Sequence, residues 1–127
     1  MQRKTGILVF THGSRSTAAH AALLRLVDQL RERFDAVAIE PCFMELGEPL
    51  IPEAIARLIA RGCNHLFGYA LFLVPGTHLQ EDVPRIFAEA LQAHPGVTFE
   101  ISPPLLADPL LVELVARHID QALARRD

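Results

Sequence analysis

Residues 6–12 read GILVFTH. Four successive apolar side chains, Ile7 to Phe10, end in a threonine and a histidine. An unbroken run of this length, without alternation, is the pattern of a strand buried on both faces, as in parallel sheets. The chain then changes period. Ala19, Leu23, Leu26, Val27, Leu30 and Phe34 recur at helical spacing, with Arg25, Asp28, Arg31 and Glu32 on the other side. That is an amphipathic helix over residues 17–34, and strand plus helix make one β-then-α unit.

The unit recurs three times. AVAIEPCFM (36–44) is a second strand, followed by a helix over 49–61 with Ile51, Ile55, Leu58 and Ile59 on one face and Gly62 as its stop. HLFGYALFLV (65–74) is the third and most apolar strand, so it belongs near the sheet centre. Its helix is expected from about Val83 to Ala93, burying Val83, Ile86, Phe87, Ala90 and Leu91, with Asp82 as N-cap and Pro84 in the first turn. VTFEIS (97–102) is the fourth strand. The prolines of PPLLADP (103–109) hold off a helix until Pro109. The last helix, to about Arg125, is expected to bury Leu111, Leu114, Val115, Ile119 and Ala122. Strands alternating with helices imply right-handed crossovers and a parallel sheet covered by helices on both faces. The expectation is one domain, residues 1–127, with a four-stranded parallel sheet in the order 2-1-3-4.

Sheets of this kind bind ligands beyond the carboxyl ends of their strands, where the strand order reverses. In that order the reversal lies between strands one and three. His12 follows strand one, and His78 follows strand three in a bend containing Gly76 and Thr77. Two imidazoles at one crevice can hold Co, Ni, Fe or Zn and leave coordination positions open, which suits a metal held for delivery. Glu45, at the end of strand two, is a candidate third ligand or general base. Glu48 is expected in the first turn of helix two, where the dipole favours a carboxylate. Gly13 and Ser14 are expected to open helix one, with N–H groups free for an anion. His20, His65, His94 and His118 read as packing or surface residues.

Composition narrows the classes. The 127 residues are 50% hydrophobic and 21% charged, with net charge −3, no Trp and one Tyr. Without clustered Lys/Arg or stacking aromatics, nucleic acid is not an expected partner. No segment approaches the ~20 apolar residues of a membrane span, and the apolar run after MQRKTG is too short for a signal-peptide core. A cytoplasmic protein with two unpaired thiols, Cys42 and Cys63, is expected. There is no G-x-x-x-x-G-K-[ST] and no G-x-G-x-x-G, so no nucleotide is expected either.

HGSR (12–15), FMELGEP (43–49), FLVPGTHLQEDVP (72–84) and PPLLADPLLVELV (103–115) resemble the short form of the CbiX/SirB sirohydrochlorin chelatases, class II tetrapyrrole chelatases. The resemblance runs over nearly the whole chain in the same order. It implies ATP-independent insertion of a divalent metal into sirohydrochlorin: Co²⁺ foremost, on the way to cobalamin, with Fe²⁺ for sirohaem or Ni²⁺ as other possibilities. It implies His12 and His78 as the metal ligands. With Glu45, the candidate ligand or base read from its position, they make the expected catalytic set, and Gly13, Ser14, Arg15, Gly76 and Thr77 are candidates for holding the tetrapyrrole. Longer relatives carry two such units, so the short form is expected to be a homodimer, with PPLLADPLL and the start of the last helix in its contact. A carrier that binds metal or tetrapyrrole without turnover would present the same histidines. A hydrolase using His12 lacks an Asp nucleophile or a Ser-His-Asp spacing.

Overall fold

The structure, a computed structural model, describes residues 2–74 and 76–125, with the backbone alone at His78. Strands β1 (Thr5–Thr11), β2 (Ala38–Phe43), β3 (His65–Ala70) and β4 (Thr98–Ile101) alternate with helices α1 (Thr17–Arg33), α2 (Ile51–Ala60), α3 (Thr77–Ala90) and α4 (Pro109–Ala124). The strands form one parallel sheet, β2-β1-β3-β4. As the apolar runs imply, β1 and β3 occupy its centre.

Alternate side chains of β1 divide the core. Leu8 and Phe10 join Ile51, Ile55 and Leu58 of α2 and Val83 and Phe87 of α3 on one face. Val9 joins Ile39, Phe43 and Leu23 and Val27 of α1 on the other. Phe87 is fully buried, stacked on Phe99 with centroids 5.3 Å apart. Cys42 and Cys63 are free and buried within the first cluster. Burial, reinforced for Cys42 by the charge of Glu40, pushes both thiols up from their ordinary range, so they are packing groups.

Several expectations are corrected. Strand β3 stops at Ala70. Leu71 still donates to the Phe10 carbonyl (2.9 Å), but Leu73 and Val74 are exposed. Helix α3 starts at Thr77, behind Gly76 as N-cap, with Gln80 N–H donating to the Gly76 carbonyl at 3.0 Å. Asp82 is therefore inside the helix, with Arg85 donating to its carboxylate, and Pro84 is an interior proline. An interior proline costs about 3 kcal/mol of helix stability. The buried Val83 and Phe87 on either side offset it. Helix α2 begins at Ile51, and the acid in its first turn is Glu53; Glu48 lies in the preceding loop. A short 3-10 turn, Leu105–Ala107, interrupts the proline loop. Most consequentially, α4 buries none of its residues: Leu114, Val115, Ile119 and Ala122 are exposed and Leu111 is half-buried.

His65, at the start of β3, is buried. Its ring nitrogens bond Thr98 Oγ1 at 2.7 Å and Glu100 Oε2 at 2.8 Å, tying down edge strand β4. His65→Ala removes both hydrogen bonds, whose partners stay open to solvent, and at roughly 0.5–1.5 kcal/mol for each should cost about 1–3 kcal/mol in urea unfolding. It should leave any metal chemistry at the far end of the sheet unchanged.

Candidate active site

The carboxyl edge is built by hydrogen bonds that continue past the strand ends. Met44 N–H donates to the Thr11 carbonyl (3.1 Å) and Glu45 N–H to the His12 carbonyl (3.0 Å). The β1–β2 pairing thus extends two residues and sets Glu45 beside His12. Nε2 of His12 lies 3.6 Å from Oε1 of Glu45, with both side chains about half-exposed. That separation permits an ion pair once the imidazole is protonated, yet is too long for a hydrogen bond. The two groups can share a cation or pass a proton after a small rotation.

Gly13 makes this approach possible. Its φ is +111°, and a Cβ there would lie 1.6 Å from the Glu45 carbonyl oxygen. Gly47 fits the same turn, since a Cβ on it would meet the Phe43 ring at 2.6 Å. Leu46 between them holds a left-handed φ of 52°, a conformation costing roughly 1–2 kcal/mol for a non-glycine residue. The loop is held in place by strand pairing and close packing, which fixes where the Glu45 carboxylate can reach.

Gly13 and Ser14 do not open the helix. Ser16 is the N-cap, its Oγ accepting from Ala19 N–H at 3.2 Å, and Ser14 Oγ accepts from Ser16 N–H at 3.0 Å. The anion site expected at those two residues is not a helix end, because an extra serine turn separates them from it. Arg15 is exposed and has no ion-pair partner among the described residues, leaving its guanidinium available to an anionic ligand. His20 packs on Phe43 with ring centroids 4.5 Å apart and planes tilted by 37°, its Nε2 out of solvent and without a hydrogen-bond partner among the described residues.

Across the switch point, Phe10 pairs with Ala70, so the chain segments after β1 and β3 leave the sheet side by side. Gly76 and Thr77, both exposed, form the cap and first residue of α3. His78 follows in the first helical turn; its side chain lies outside the described residues. An apolar hollow of about 210 Å³ lies between α3 and the ends of β3 and β4, lined by Phe72, Leu79, Val83 and Ile101. It is smaller than the 300–1,000 Å³ typical of small-molecule sites. Ser102, which the sequence did not single out, is buried beside it, its Oγ accepting from Ala70 N–H at 2.9 Å. Among the described residues no group of three His, Cys, Asp or Glu side chains forms a metal cluster, and no helix is long and apolar enough to cross a membrane.

An imidazole and a carboxylate side by side at the carboxyl edge of a four-stranded parallel sheet, next to its switch point, define the class: a doubly wound α/β unit with a candidate site beyond its strand ends. Within that class the chain belongs to the CbiX family, whose model matches residues 6–122. It is 30% identical to the sirohydrochlorin cobaltochelatase of Methanosarcina barkeri, over 97% of this chain and 100% of that protein. It is 31% identical to the chloroplastic sirohydrochlorin ferrochelatase of Arabidopsis thaliana, over 94% of this chain and 53% of that one. The putative CbiX protein of Marinobacter aquaeolei VT8 has the same fold, with a TM-score of 0.82, 27% identity and coverage of 95% and 98% of the two chains. The chelatase SirB of Bacillus subtilis subspecies spizizenii, solved with cobalt, gives a TM-score of 0.84 at 25% identity. The match covers 93% of this chain and 50% of that one. The chain therefore spans about half the length of the Arabidopsis and Bacillus proteins and the full length of the archaeal one.

Proposed function

We propose that this protein is a sirohydrochlorin chelatase that inserts a divalent metal into the macrocycle without ATP and works as a homodimer. The observation that carries the reading is the His12–Glu45 pair at the carboxyl edge of the sheet, with His12 beside the switch point, in a chain aligned over 97% of its length with an archaeal sirohydrochlorin cobaltochelatase. Insertion exchanges one M²⁺ for the two pyrrolic protons of the ring. His12, with His78, would hold the incoming ion on one face of the macrocycle. Glu45, 3.6 Å from His12, would take up a departing proton and pass it to solvent, to which it is open. Arg15 and the polar groups of Ser14 and Thr77 would meet the ring's carboxylates. The Gly13 N–H would offer a further contact to a carboxylate, and the open space at Gly76 would admit the macrocycle. Co²⁺ is the first-choice metal and Fe²⁺ or Ni²⁺ the others; affinity in vitro will not rank them physiologically, because first-row metals follow the Irving–Williams order whatever the site's role.

The test is spectrophotometric. With excess sirohydrochlorin and Co²⁺, and no nucleotide, the metallated product should accumulate over many turnovers. Product that stops at one equivalent per site would make the protein a carrier. Glu45→Gln should lower the insertion rate roughly 10²-fold or more, the usual weight of a proton acceptor, while macrocycle binding changes far less. Equal loss of both would make Glu45 a binding residue.

A further inference from the structure

In the loop beyond β2 the glycine and the left-handed residue are different residues. Leu46 holds φ 52°, a conformation that glycine or asparagine adopts readily and leucine does not. Gly47 stands one residue further on, where a Cβ would meet the Phe43 ring at 2.6 Å. The glycine answers a demand for space, while the strained position carries a bulky aliphatic side chain.

Core packing does not account for that side chain. Leu46 is 48% exposed and belongs to neither cluster of the core. The loop is fixed at both ends without it: Glu45 N–H donates to the His12 carbonyl and Phe43 N–H to the Pro49 carbonyl, each at 3.0 Å. Strained residues held by surroundings they do not themselves support gather at active sites and ligand clamps.

Its location says which ligand. The Cα of Leu46 is about 3.8 Å from that of Glu45, whose carboxylate stands beside His12. Metal and protons are exchanged at the centre of a tetrapyrrole's face. That face is a conjugated apolar surface, with the carboxylates out at the rim. A ring placed to exchange with His12 and Glu45 therefore extends over the neighbouring residue. On the other flank of β1, past β3, Leu73 and Val74 are also exposed, to 59% and 61%. His12 thus emerges between two segments that carry aliphatic side chains, each following a strand roughly 4.8 Å from β1. An apolar ring face gains by leaving water against such side chains; a hydrated metal ion gains nothing there.

We propose that Leu46 is a substrate-contact residue, its side chain bearing on the apolar face of the macrocycle and holding the ring centre over His12 and Glu45. This rests on the chelatase reading above. It adds the residue that recognises the face of the ring, whereas Arg15 and Ser14 would meet its rim.

Leu46→Asn isolates the contact, because asparagine accepts the left-handed backbone and keeps the loop as it is. Its melting temperature should be no lower than that of the unaltered protein. Its dissociation constant for metal-free sirohydrochlorin, read from the macrocycle's own fluorescence, should rise at least ~10-fold, as expected when one aliphatic side chain loses its burial. The insertion rate at saturating macrocycle should stay within about twofold, since the contact serves ground state and transition state alike. Leu46→Met, similar in volume and apolar, should restore binding to within about threefold. Leu24→Gln, in the middle of α1 with the same 48% exposure, should bind as the unaltered protein does. Unchanged binding by Leu46→Asn, a lost rate with binding kept, no rescue by methionine, or an equal loss in Leu24→Gln would each overturn the contact. Turnover by the unaltered protein is judged separately. Leu46-dependent binding without turnover removes the chelatase and leaves the contact, and turnover with Leu46-independent binding does the reverse. An unaltered protein that binds no macrocycle ends both.

Discussion

His12→Ala is expected to lower the rate of cobalt insertion into sirohydrochlorin by at least ~100-fold, the lower end of what a positioned acid–base group supplies. The imidazole both offers a nitrogen to the metal and stands 3.6 Å from the Glu45 carboxylate. Its removal takes away a ligand and leaves that carboxylate without its partner. The fold should survive, because His12 lies beyond β1 and is exposed. A melting temperature within a few degrees of the unaltered protein, together with the rate loss, is the expected pair of results. His78→Ala should behave alike if the second imidazole completes the site. Near-normal turnover in either variant would remove that histidine from the chemistry. His94→Ala and His118→Ala, away from the carboxyl ends of β1, β2 and β3, serve as controls and should leave the rate unchanged.

Gly13→Ala is the second large effect, and it reaches the same site through the backbone. Alanine at φ +111° is strained, and its Cβ would stand 1.6 Å from a carbonyl oxygen that strand pairing holds in place. Main chain cannot rotate away as a side-chain tip can. The cost should be about 3 kcal/mol or more, which lowers the melting temperature by roughly 10 °C in a domain this size. If the 44–49 loop yields instead, Glu45 moves from His12 and the insertion rate falls with little change in melting. Gly76→Ala is the matched control: a Cβ there meets nothing within 4 Å. It should cost no more than the ~1 kcal/mol between Gly and Ala at an N-cap. Retention of both stability and rate by Gly13→Ala would mean the close approach is dispensable.

Sequence and structure divide the explanation between them at identifiable residues. The apolar run of β1 and the helical spacing from Leu23 to Leu30 report burial directly, because a side chain's neighbours one or two turns away are set by local geometry. Four repeats of that change of period imply a parallel sheet with right-handed crossovers, the apolar runs of β1 and β3 point to its centre, and the observed order β2-β1-β3-β4 places His12 and Glu45 on adjacent strand ends. Element boundaries at Pro84 were less legible. A proline is equally at home in a first helical turn and, when packing compensates, inside a helix, and only the contacts of Val83 and Phe87 decide between them.

What the sequence by itself determined, then, is the parallel α/β sheet, its two central strands, and the strand ends that carry the candidate chemistry, since period and apolar run length are written along the chain; the order 2-1-3-4 was an expectation that the structure bears out. Tertiary structure alone decided that Gly13 is the notch through which Glu45 reaches His12, that Ser16 rather than Gly13 begins α1, and that α4 leaves its own sheet uncovered. The amphipathic stripe of α4 says that something apolar must cover it. Which surface does so depends on the direction in which residues 103–108 leave β4, and that direction is set by hydrogen bonds to Phe72 and Leu73, some thirty residues earlier in the chain.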